Sequence, residues 1–189
     1  MKKVLFGFIL IAFSGCKTNY ENLPAFSESK QVQVVIETPA GSAREYAFSP
    51  KTNEFVVVQE AGQDKIVRFL PYPANAGFIP STRTPDSKPL HVLVLSESQQ
   101  TGTVTEVMPL GVLLLESAGE LEYQIVTVPA KPSERLLDAT DSEEFMQKYP
   151  AAKRMLETWF LNAEPQKNVR IMGWKDDKFA DDLIRKHMK

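Results

Sequence analysis

The sequence predicts an α+β domain in which a small closed barrel of five or more antiparallel strands is followed by helices. From Gln31 onward the apolar residues come in short bursts rich in Val, Ile, Phe and Leu, each bounded by Pro, Gly, Asn, Ser or Asp. That is a strand-and-turn pattern. Helical spacing begins only after Asp141, so strands and helices are segregated along the chain. Closing the sheet removes the edges that so many strands would otherwise expose.

The chain has 189 residues, of which 43% are hydrophobic, which supplies one ordinary core and not two. The formal net charge is -2 and the pI is near 5.8. No whole-molecule basic field is available to release counterions from a nucleic-acid backbone, so nucleic acid is not expected as a partner. One cysteine, Cys16, excludes an internal disulfide.

Taken in order, residues 1–15 read as a signal peptide. Lys2 and Lys3 form the basic start, and Val4 to Phe13 form an apolar run too short to span a bilayer. Phe13-Ser14-Gly15-Cys16 resembles the lipobox cut by bacterial lipoprotein signal peptidase. The resemblance implies that Cys16 becomes the first residue and carries acyl chains, with the cell envelope (periplasmic or cell-surface side) as location and the membrane as partner. A cleaved soluble export signal is the other reading of the same segment. Residues 16–30 are polar and aperiodic and read as a lipidated tether, and residues 31–189 as the folded domain.

Strands are expected near Val32 to Glu37, Phe55 to Gln59, Ile66 to Phe69, His91 to Leu95, Thr103 to Met108, Val112 to Glu116 and Tyr123 to Val128. Asp141-Ser142-Glu143-Glu144 offers a helix cap, and Phe145, Tyr149, Met155, Trp159 and Phe160 follow at helical spacings, with a break or restart at Pro150. A short strand near Val169 to Met172 and a helix over about Asp177 to Met188 complete the pattern. Trp159 and Trp174 are expected between helices and barrel, and His187 on the solvated side of the last helix.

Three stretches carry a resemblance to a known family. These are Val34-Val35-Ile36-Glu37-Thr38-Pro39-Ala40-Gly41-Ser42, then Tyr72-Pro73-Ala74-Asn75-Ala76-Gly77-Phe78-Ile79-Pro80, then Asp86-Ser87-Lys88-Pro89-Leu90-His91-Val92-Leu93-Val94. Pro109 to Leu113, Val126 to Pro129 and Gly173-Trp174 complete the order. Together they resemble the soluble (family I) inorganic pyrophosphatases over nearly the whole mature chain. The resemblance implies an OB-like five-stranded antiparallel β-barrel with flanking helices, hydrolysis of diphosphate to two phosphates with Mg2+, and assembly into homo-oligomers.

That chemistry needs several hard divalent cations and therefore a cluster of oxygen ligands. By the resemblance, Glu37 stands at the family's first-strand glutamate, Tyr72 at the first signature tyrosine and Asp86 at the first of three signature aspartates. Lys88 and His91 replace the second and third aspartates. Ala76 replaces the second signature tyrosine, Glu45 and Ala47 occupy lysine and glutamate positions, and Gln59 stands near an arginine. Ser117 and Glu122 fall where two later aspartates belong, with Glu122 still able to ligate, and Gln124 replaces a lysine. Phe160-Leu161 replaces a Tyr-Lys pair. An ammonium at Lys88 repels a neighbouring cation by several kcal/mol, about 4 for each unit of charge at 4 Å and an effective dielectric near 20. His91 with Asp86 and Glu122 offers at most one site for a softer metal such as zinc or manganese.

Three functions follow. The first is a pyrophosphatase-family protein whose catalysis is lost or that persists as a divergent extracytoplasmic diphosphatase. The second is a metal-free module holding phosphate, pyrophosphate or a protein on a face with Lys65, Arg68, Lys88 and His91. The third is a structural envelope protein whose oligomeric barrel surface is its whole role.

Overall fold

The computed structural model describes residues 18–189; the expected signal peptide and the lipidation expected at Cys16 lie outside the described residues. The strands are β1 (Val32–Thr38), β2 (Tyr46–Ser49), β3 (Glu54–Val57), β4 (Gln59–Glu60), β5 (Gln63–Asp64), β6 (Asn75–Ile79), β7 (Leu90–Val94), β8 (Val104–Ser117), β9 (Glu120–Pro129) and β10 (Arg170–Lys175). The helices are α1 (Ser142–Lys148), α2 (Pro150–Ala163) and α3 (Asp177–His187).

Strand order in the main sheet is β1-β6-β7-β9-β8-β10, and β1 pairs with β8 as well, which closes β1, β6, β7, β9 and β8 into a barrel. All neighbours run antiparallel except β7 and β9, which are parallel. β8 is long enough to serve two partners: its first half pairs with β1 and its second with β10. Its ladder with β9 shifts between Pro109 and Gly111. An ideal Cβ on Gly111 would lie 2.6 Å from the Lys175 carbonyl oxygen, so glycine is what lets β10 approach there.

Alternation along the strands builds two cores. Val34, Ile36, Ile79, Val92, Val107 and Ile125 come from all five barrel strands and pack with Leu183 and Ile184 of α3. On the opposite face Leu93, Leu110, Val126 and Val128 pack under Phe145 of α1 and Leu156 of α2. Asp141 caps α1 by accepting the Glu144 N–H at 2.8 Å, Pro150 restarts the helix as α2, and Asp176 caps α3.

Several boundaries differ from the sequence expectation. The expected strands over Thr103 to Met108 and Val112 to Glu116 are one strand bent at its bulge. Phe55 to Gln59 divides between β3 and β4. The expected strand at Ile66 to Phe69 does not form; only Ile66 makes a bridge, to Arg44, and the apolar side chains of Ile66 and Phe69 remain 50% and 41% exposed. β2 and β6 were not anticipated, because Tyr46–Ser49 is short and Asn75–Ile79 carries Asn and Gly.

The described part of the expected tether is packed. Tyr20 lies edge-on to Phe48 and Phe55, with centroids 5.4 and 5.1 Å away. Ala25 is 2% exposed, and its carbonyl accepts the Gln33 N–H at 2.8 Å.

Candidate functional site

The strand register collects the candidate residues on one face of the barrel. Val35 stands opposite Phe78, Phe78 opposite His91, and His91 beside Gln124. Two residues along from these lie Ala76, opposite Thr38, and Glu122, opposite Leu115. Glu37 is the extra residue where the β1–β6 register shifts between Ile36 and Thr38, a bulge that re-aims its side chain.

The signature run owes part of its chemistry to construction. Asn75 is fully buried; its amide donates to Ser96 Oγ and the Glu97 carbonyl, both at 2.9 Å, and its Oδ1 accepts the Ala40 and Gln99 N–H groups. It thereby pins the turn after β1 to the segment after β7. Gly77 is required because a Cβ there would lie 2.0 Å from the Val35 carbonyl oxygen.

Glu37, Glu45, Lys65, Tyr72 and Glu164 form one charged group. Glu37 Oε1 accepts the Phe48 N–H at 2.7 Å. Burial pushes its pKa up to about 7, the Phe48 N–H works against that, and the charge of Glu45 adds to it. Lys65 Nζ lies 2.6 Å from Glu45 Oε2 and 3.0 Å from Glu164 Oε1, while Lys167 Nζ lies 2.8 Å from Glu164 Oε2. Burial alone would lower Lys65, but its two carboxylates outweigh this and hold it above the usual ammonium range. The Tyr72 phenol is pushed far up, first by burial and then by the charge of Glu45. Lys65 is therefore not a free anion-binding cation, contrary to the anion-holding face expected from the sequence. Arg68 is exposed on the loop that follows.

A second group lies beside the first. Lys88 Nζ is 3.0 Å from Asp86 Oδ2, with the two side chains 68% and 57% exposed. Hydrogen bonds from Thr84 and then Lys88 hold Asp86 below the usual carboxylate range. The His91 side chain opens to solvent, yet the protein around it lowers its pKa, Lys88 pushes the same way, and Glu45, Glu122 and Asp86 oppose. Those opposing charges show that the two groups share one field, with Glu45 common to both.

Other positions lie apart or are inert. Gln59 is exposed on the β4–β5 ribbon and donates to Asp64 Oδ1 at 2.6 Å. Ala47 pairs with Val56 in the β2–β3 hairpin. Ser117 is buried at the end of β8, opposite Glu120. Gln124 Nε2 donates only to the Ile125 carbonyl, at 3.4 Å. Phe160 packs edge-on to Trp159, and Leu161 points to solvent. Trp159 is buried against Tyr72 with ring centroids 4.9 Å apart, Trp174 packs on Phe145, and His187 Nδ1 lies 2.9 Å from the Leu183 carbonyl. Glu164 and Lys167 were not found from the sequence. Nothing local in the sequence announces that Glu164 reaches Lys65.

The donor set does not fit the magnesium cluster that the resemblance implies. Among the described residues no three His, Cys, Asp or Glu side chains are grouped so as to hold a metal ion. The retained Asp86 is engaged by a lysine, and magnesium demands oxygen donors in near-octahedral array.

The barrel with its flanking helices defines a class. It matches the crystal structure of the inorganic pyrophosphatase from Thermus thermophilus with a TM-score of 0.77 at 28% identity, covering 89% of this chain and 95% of that one. In sequence, the inorganic pyrophosphatase of Thermus thermophilus is 32% identical over 176 residues, or 88% of this chain and 94% of its own length. That of Aeropyrum pernix is 32% identical over 161 residues, or 82% and 86%. The sequence model of the inorganic pyrophosphatase family matches residues 34–189. The chain belongs to the inorganic pyrophosphatase family.

Proposed function

We propose that this chain is a catalytically degenerate member of its family, which keeps the barrel and part of the substrate pocket but does not hydrolyse diphosphate. The observation that carries the reading is the Lys88–Asp86 pair at 3.0 Å. The one signature aspartate retained is neutralised by the residue that replaces the second. A pocket in which ammonium stands for carboxylate repels divalent cations instead of gathering them. Glu37, Tyr72 and Glu122 then serve the barrel and its charge balance, and no step of hydrolysis is assigned to them. The test is release of phosphate from pyrophosphate by the mature protein with magnesium, manganese, zinc or cobalt. No release above the protein-free reaction is expected, and turnover with any of these metals rejects the reading in favour of a divergent active diphosphatase, which family membership favours.

The same reading includes export and anchoring through Cys16. It is supported by the basic start, the apolar run and the Ser-Gly-Cys sequence. Acyl labelling that disappears in Cys16→Ser supports it; an unlabelled, soluble wild-type protein refutes it. Assembly into homo-oligomers, implied by the family, is read by sizing the mature protein.

A further inference from the structure

Glu45 occupies a place where its charge is unexpected. It precedes β2, yet its carboxylate sits against the Lys65 ammonium, and the Tyr72 phenol lies within reach of its charge; ammonium and phenol are the two kinds of donor that hold a small oxyanion. Lys65 reaches Glu45 Oε2 at 2.6 Å and is itself only 14% exposed. Tyr72 is fixed from behind by the Trp159 ring at 4.9 Å. The arrangement resembles a bound anion whose anion belongs to the chain.

We propose that Glu45 is a built-in plug: its carboxylate fills an oxyanion seat formed by Lys65 and Tyr72 and keeps phosphate-like ligands out. The proposal deepens the degenerate reading and rests on it for the seat's location, though not for the loss of catalysis. Charge balance explains why the plug holds. Lys65 and Lys167 face Glu45 and Glu164, so the group is neutral and offers no net field to an incoming anion. A phosphate would have to displace a tethered carboxylate, whose effective concentration exceeds that of a free solute. Glu37 beside it adds further negative charge as it ionises.

Removing the plug reverses the balance. Glu45→Ala clears the carboxylate and the methylene that carries it, roughly the space of a phosphate, and leaves the group positive by one. Titration with inorganic phosphate in EDTA, followed by calorimetry, is expected to show binding at least about tenfold tighter in Glu45→Ala than in wild type. Adding Lys65→Gln is expected to abolish the gain. If alanine does not fold, Glu45→Ser, which also clears the seat and removes the charge, is expected to show the same gain. Wild-type protein that binds phosphate with a Kd below about 1 mM overturns the proposal without any variant. So does a folded variant without the gain, or a gain that survives Lys65→Gln. Because EDTA removes metals, these outcomes are separate from the hydrolysis assay: turnover sinks the degenerate reading, and only the phosphate titration sinks the plug.

Discussion

Trp159 donates its indole N–H to the Leu70 carbonyl at 2.9 Å and lies 3.1 Å from that of Pro71, so α2 is tied to the segment that leads into Tyr72. Ring packing on Tyr72 completes the tie. Trp159→Phe keeps an aromatic ring but strands the carbonyls, which costs about 1–3 kcal/mol. Trp159→Ala also opens a cavity and is expected to cost about 3–5 kcal/mol. Denaturant unfolding of the two variants checks the order; a Trp159→Phe variant as stable as wild type would show that the N–H contributes nothing.

Glu37 gives stability a pH dependence of fixed sign. Its pKa is raised from 4.5 to about 7, so the folded state holds a proton that the unfolded chain releases. The associated stability is fully present below pH 4.5 and is lost as pH rises to about 7. The loss is at most about 3 kcal/mol. Glu37→Gln stays neutral and is expected to match wild type near the acid end and exceed it at pH 8. Thermal unfolding of both proteins across that range measures the difference, and parallel curves would show that Glu37 does not titrate in this window.

Gly77 predicts a steric failure. An added Cβ would lie 2.0 Å from the Val35 carbonyl oxygen, a backbone atom held in the β1–β6 ladder. Gly77→Ala is expected to destabilise by about 3 kcal/mol or more, since neither strand can give way without parting from the other. A variant with unchanged thermal stability would mean that the strands separate there at little cost.

The sequence disclosed the fold because the signals that carry it are local or strongly periodic. Asp141 and Pro150 announced α1 and α2, and the apolar bursts in Val32–Thr38 and Leu90–Val94 announced β1 and β7. β6 was hidden because Asn75 and Gly77 look like turn residues; they are in the strand as a buried hydrogen-bond hub and a point of close approach. The run Ile66 to Phe69 misled in the opposite way, since its apolar composition has no partner strand to meet. At the site, position in the family signature singled out Glu37, Tyr72, Asp86, Lys88 and His91, of which the fold pairs Lys88 with Asp86 directly. The Lys65 bridge to Glu164 was illegible, because its two ends are 99 residues apart and only tertiary folding pairs them.

The pocket's charge is tested most directly by counting magnesium ions. Calorimetric titration of the wild-type mature protein is expected to give no binding isotherm, whereas Lys88→Asp combined with His91→Asp, which restores two carboxylates beside Asp86, is expected to bind. Lys88 and Asp86 are both more than half exposed, so losing their ion pair should itself change stability by no more than about 1 kcal/mol. Wild-type protein that takes up several magnesium ions per chain would contradict the account.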